Sequence, residues 1–180
     1  RVLWSAGDEI AIFENKDMPS RYQVAESSVG QPSAEFFLME EAQSGTAAGA
    51  DVAVYPYAES LTLAKMSTGA YRVRELELPE VQKYAGRSFD SGAFPMVARS
   101  KDSDSDGLQF LNLCGVLELN LTGEVKISSI TFSSDNEVSG YFSVDMNYVD
   151  YPKIVSSSNS SKFVTLNCGS GVQLNPDPPV

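Results

Sequence analysis

Val138, Gly140, Phe142, Val144 and Met146 alternate with Ser139, Tyr141, Ser143 and Asp145. A strand over 138–146 would send the first set to a core and the second to water. Upstream, Leu108 to Phe132 reads LQFLNLCGVLELNLTGEVKISSITF, two apolar β-type runs around the turn Leu121-Thr122-Gly123-Glu124. The pattern predicts a hairpin of strands Gln109–Leu121 and Val125–Phe132. It also places Val125–Phe132 beside Val138–Met146, across Ser133-Ser134-Asp135-Asn136-Glu137, whose side chains favour local turn hydrogen bonds. Gly115, inside the longest run, marks a bulge or a close backbone approach.

Further strands are predicted over Glu9–Phe13, Val52–Tyr57, Ala70–Leu78, Pro95–Arg99 and Phe163–Cys168. Mixed parity in several of them predicts bulges or burial on both faces. Helical periodicity is scarce. Ser33–Gln43, with Glu35 and Glu40 around an aromatic pair, reads equally as helix or not, whereas Pro79–Tyr84 is predicted as one short helical turn, with Pro at a first-turn position and Gly86 beyond. The fold class is therefore all-β, an antiparallel β-sandwich of about seven or eight strands with that single turn of helix.

Length fits this picture. At 180 residues and 42% hydrophobic content the chain can bury a real core, and residues 1–174 read as one domain. Residues 175–180, Asn-Pro-Asp-Pro-Pro-Val, cannot form a ladder because proline lacks the donor. They read as a linker toward a second domain. The apolar runs fall far short of the roughly 20 residues needed to span a bilayer as helix, so no transmembrane segment is predicted.

Charge and composition narrow the function. A formal net charge of −11 opposes nucleic-acid binding, which needs clustered cations to displace counterions from phosphates. There is no histidine, which removes the commonest general base at neutral pH, the commonest zinc ligand and every Ser/His/Asp or Cys/His arrangement. No catalytic residue is proposed, and the chain is read as a non-enzyme. A secreted glycan-active enzyme working with carboxylates alone remains as a rival. Its reaction would need two carboxyl groups across a cleft, and no pair stands out. Glu75, Glu77 and Glu80 alternate with Arg72 and Arg74 in the pattern of a solvated strand face.

Three other constellations carry candidate chemistry. Asp102, Asp104 and Asp106, followed by Gly107, match the first half of a calcium loop, but the twelfth position is Leu113, which cannot supply the bidentate ligand. No cofactor is expected, and calcium at those aspartates is the weaker alternative to an acidic connection. Cys114 and Cys168 lie in strand candidates and are either a disulfide pair, as an oxidising compartment allows, or two separate buried thiols. Trp4, Tyr55, Tyr57 and Tyr71 form either a sugar-stacking platform or, more in keeping with burial tendencies, part of the core.

Several segments in order resemble the fimbrillin-like proteins, the subunits and related surface lipoproteins of type V pili in Gram-negative anaerobes. They are Trp4-Ser5-Ala6-Gly7-Asp8-Glu9-Ile10-Ala11-Ile12-Phe13, Val54-Tyr55-Pro56-Tyr57, Leu78-Pro79 with Gln82, and Pro95-Met96-Val97-Ala98. The run Phe110 to Ile130 and Val164-Thr165-Leu166-Asn167-Cys168 complete the resemblance, which spans most of the chain. It implies the N-terminal, transthyretin-like sandwich of a pilin, made as a lipoprotein precursor and carried on the cell surface, in a fimbrium at the outer membrane.

The resemblance also implies assembly with other pilin subunits by β-strand addition, after proteolytic removal of an N-terminal strand, with Arg1 as the processing site. Loss of that strand would leave unpaired backbone beside an apolar groove for a neighbour's strand to fill. The alternative within the same family is a non-polymerising tip or anchor adhesin, or a surface lipoprotein, that binds host protein or glycan.

Overall fold

The computed structural model describes residues 2–14, 16–42, 51–86, 88–100, 107–146 and 152–176. Thirteen strands lie among them: β1 (Glu9–Glu14), β2 (Ser20–Val24), β3 (Phe36–Glu40), β4 (Asp51–Tyr55), β5 (Thr62–Lys65), β6 (Tyr71–Leu78) and β7 (Val81–Lys83), then β8 (Met96–Arg99), β9 (Leu111–Asn112), β10 (Lys126–Ser133), β11 (Ser139–Asp145), β12 (Lys153–Ser161) and β13 (Phe163–Gln173). Helical structure among the described residues is limited to 3-10 turns at Glu26–Ser28 and Ser91–Ala93. The fold is all-β, as the alternation predicts.

The strands form a six-stranded sheet in the order β3-β2-β1-β4-β8-β9, a four-stranded sheet β12-β11-β6-β5 and a three-stranded sheet β10-β13-β7. Every pairing is antiparallel except β7 with β13. The first two sheets pack on one another. Ala11, Phe13, Val52, Val54 and Val97 from the larger meet Leu63, Val73, Leu76, Phe142 and Val144 from the smaller in one buried cluster. Burial of such side chains is the main favourable term in folding, at about 1.5–3 kcal/mol each.

Parity explains these placements. In 138–146 the side chains of Phe142, Val144 and Met146 are buried as expected, whereas Ser139, expected in water, is buried and donates its hydroxyl to the Phe163 carbonyl. β1 is an unbroken apolar run because both its faces are covered. Ala11 and Phe13 enter the main core, while Ile10 and Ile12 join Tyr55, Met96, Trp4, Tyr22, Phe36 and Phe110 on the other side. β6 is bulged. Val73 pairs with Val144 but Leu76 with Phe142, and the extra residue, with Glu75 at a φ of 61°, turns both Val73 and Leu76 inward.

Several expectations are corrected. Pro79–Tyr84 is no helical turn: Val81–Lys83 is strand β7, held by Thr165 N–H to the Glu80 carbonyl and Tyr84 N–H to the Asn167 carbonyl. The ambiguous segment from Ser33 contains strand β3. β10 pairs with β13 and not with β11, whose partners are β6 and β12. The 109–121/125–132 hairpin does not form either. Only Leu111–Asn112 of its first arm is a strand, and that pairs with β8. Gly115 makes no close approach, since a Cβ there would meet nothing within 4 Å. Ladder hydrogen bonds come from the backbone, which every non-proline residue supplies alike, so side-chain pattern identifies strands more readily than their partners.

Candidate functional site

The unformed hairpin opens onto a cavity of about 1,350 Å³. Its floor is one face of the three-stranded sheet. Ile127 faces Val172, Ile130 faces Leu166 and Phe132 faces Val164 across the β10–β13 ladder, and all six side chains line the cavity. The opposite face of that sheet is polar, with Thr131 and Thr165 joined through their hydroxyls at 3.0 Å. Alternation thus gives the sheet one wet face and one apolar face, and the apolar face has only partial cover.

Residues 114–121, Cys-Gly-Val-Leu-Glu-Leu-Asn-Leu, form the facing wall. They belong to no strand. Val116, Leu117, Leu119 and Leu121 are 64%, 63%, 50% and 43% exposed, an unusual concentration of apolar surface in one short stretch. The base of this wall is tied down. Gly123 N–H donates to the Asn175 carbonyl and Leu174 N–H to the Val125 carbonyl, so the turn leans on the continuation of β13. At the other end Leu113 N–H donates to the Pro95 carbonyl.

The rim is built by the N-terminal segment and the stretch before β8. Trp4 anchors the former. Its ring meets Phe36, Tyr55 and Phe110 edge-on at centroid distances of 5.0, 5.5 and 5.6 Å, and its backbone exchanges hydrogen bonds with Gly30 and Gln31. Val2 and Leu3, just upstream, line the cavity. Asp8 accepts from the Tyr55 hydroxyl and from the Ser5 N–H. Burial, and then the Asp8 charge and hydrogen bond, push the Tyr55 phenol well above its ordinary range. Asp90 fixes the other lip by accepting from the Lys83 N–H at 2.8 Å.

Cys114 and Cys168 line this same cavity, and both are free thiols. Burial pushes the Cys114 thiol up. Arg1 and the aspartates 102, 104 and 106 lie outside the described residues. Among the described residues no group of three or more His, Cys, Asp or Glu side chains is placed to hold a metal ion, and no helix is long and apolar enough to cross a membrane.

The aromatic residues of the candidate platform belong mainly to the packing. Tyr55 and Tyr71 are buried, and Trp4 packs with Tyr55. Glu75 and Glu77 on β6 and Glu80 just after it are exposed, and Arg72 reaches Asp145 at 3.7 Å. Sequence reasoning missed the rim residues Val2, Leu3 and Asp90. The available signal was an apolar β-type run too long for the strands around it.

Fold and groove together define an all-β protein with a sandwich core and an apolar groove left open beside it. No family model, no curated protein and no solved structure matches the chain.

Proposed function

We propose that this chain is a structural subunit of a cell-surface fimbrium, built by β-strand addition into the groove between β10 and residues 114–121. One observation carries the reading: an apolar, sheet-floored groove is bordered by residues 114–121, which pair in no ladder among the described residues. Exposed strand edges beside apolar surface are normally suppressed because they recruit other chains. A protein that keeps one has a use for recruitment. Strand addition satisfies both needs at once, main-chain groups by a ladder and the apolar floor by alternate side chains.

In this reading the groove first holds a strand from upstream in its own precursor, and proteolysis at Arg1 vacates it for the strand of another subunit. The absence of histidine and the solvated setting of the carboxylates on β6 and beyond it support a structural role over a catalytic one.

The test uses the chain expressed with its native flanking sequence. After limited digestion with an Arg-specific protease, native gels and negative-stain microscopy are expected to show ladders or fibres that uncleaved protein does not form. A stable monomer before and after cleavage would overturn the stalk role, leaving a tip, anchor or ligand-binding lipoprotein.

A further inference from the structure

β3 ends the six-stranded sheet, and its outer edge has no ladder partner among the described residues. The hydrogen bonds around it fix which backbone groups that edge presents. Ala25 N–H donates to the Glu35 carbonyl, while Val24 N–H donates away from β3, to the Asp8 carbonyl. Groups alternate along an antiparallel strand, so Glu35 and Phe37 face β2, and Phe36 and Leu38 turn their N–H and C=O groups outward. The register shift opposite Arg21 and Tyr22 puts a bulge at Met39, where the regular edge ends. The side chains are as unusual as the backbone. Phe37, Leu38 and Met39 run consecutively at 47%, 48% and 50% exposure, on a kind of edge that is ordinarily charged, shortened or covered.

Charge decides what the edge would take. Glu35 stands just before β3, Glu40 at its end and Glu41 just after. A cavity of about 210 Å³ adjoins that end, lined by Glu40, Glu41, Glu59 and Tyr57 with Met18 and Pro19. Glu41 is paired with Lys16, whereas Glu35, Glu40 and Glu59 make no ion pair among the described residues. A second copy of this chain fits the edge badly. Antiparallel pairing of β3 with itself about Leu38 sets Glu35 opposite Glu41, and a shift by one sets Glu35 opposite Glu40. Like charges directly opposite are destabilising, and a net charge of −11 on each copy adds to the cost.

We propose that the β3 edge docks an extended segment of a partner protein, apolar at its centre and carrying lysine or arginine at its ends. Its backbone pairs with the outward groups of Phe36 and Leu38, and its apolar side chains cover Phe37 on one face and Leu38 on the other. One cationic end enters the small cavity, with its methylenes against Met18 and Pro19 and its charge beside Glu40 and Glu59. The other lies by Glu35. This surface belongs to a different sheet from the groove over β10 and β13 and needs no proteolysis to become available.

The folded chain is titrated with a synthetic peptide of about seven residues, alternating Val and Thr between terminal lysines, and with the same peptide ending in glutamates. Exchange of the Phe36 and Leu38 amides is followed by NMR, alongside that of 126–133. Both edge amides are expected to exchange readily in the free chain, about tenfold or more slowly with the lysine peptide, and unchanged with the glutamate peptide. Phe37→Lys should keep its circular dichroism spectrum and lose the protection, and Glu40→Lys combined with Glu59→Lys should reverse the preference between peptides. Slow exchange of the two amides in the free monomer, or protection by neither peptide, would overturn the proposal. Equal protection by both would overturn the charge argument, and protection confined to 126–133 would move the peptide to the groove. A concentration-dependent dimer that protects Phe36 and Leu38 without peptide would replace the partner with a second copy.

Discussion

Gly140 and Asn159 approach so closely that a Cβ on the glycine would stand 2.4 Å from the Asn159 carbonyl oxygen and 2.7 Å from the Ser160 Cα. This contact sits where β11 meets β12, at the register shift between Ser139 and Tyr141. Gly140 also has a φ of +112°, a conformation that side chains resist. Neither backbone can yield without breaking the ladder.

Gly140→Ala should therefore lose at least about 2 kcal/mol, strain and clash adding to one another. Gly69→Ala is the comparison, with a φ of +83° and nothing within 4 Å of a Cβ. It should lose only about 1 kcal/mol. Urea denaturation of both variants checks the difference, and equal losses would contradict the contact.

Phe13→Ala removes the largest side chain that the sandwich core buries completely. A loss of about 3–5 kcal/mol is expected. A shift in the chemical denaturation midpoint that small surface changes could match would show the two sheets packing otherwise than described.

Alkaline pH should weaken the fold. The Tyr22 phenol is pushed up to about 12 by burial first and by its hydrogen bond to Glu14, and Tyr55 is raised by burial and Asp8. Above the ordinary tyrosine value of about 10 the unfolded chain ionises while these native phenols stay protonated, so the unfolded state binds fewer protons and stability falls as pH rises. Below that value the contribution is fully present. Denaturation midpoints are expected to drop between about pH 10 and 12, and less steeply in Tyr22→Phe. An unchanged slope in that variant would count against the raised phenol.

The two cysteines give a direct probe of the groove. Without reductant, denatured protein should take up two equivalents of iodoacetamide, because both thiols are free. In folded Cys168→Ser, alkylation of Cys114 should rise with pH along a curve displaced to higher pH than that of an ordinary thiol, since burial disfavours the thiolate. Failure of the denatured wild type to react would show a disulfide.

How much of this was legible in the chain differs between elements for identifiable reasons. Alternation in 138–146 and the doubly apolar runs of β1 and β4 report burial directly, because water rejects apolar side chains wherever the strand ends up. The polar strands β2 and β12 carry little such signal. For β7, the proline before it mimics a helix start, while the ladder to β13 comes from a partner some eighty positions away.

The sequence by itself determined an all-β, histidine-free, acidic chain, its core strands, and a long apolar run around 108–132. Only the tertiary structure decided that β10 takes β13 as its partner and that residues 114–121 take none among the described residues. Hydrophobic pattern says which side chains must leave water, whereas backbone pairing is open to any extended segment and is settled by which partners the rest of the packing leaves within reach. The groove is the place where those two demands are left unequal.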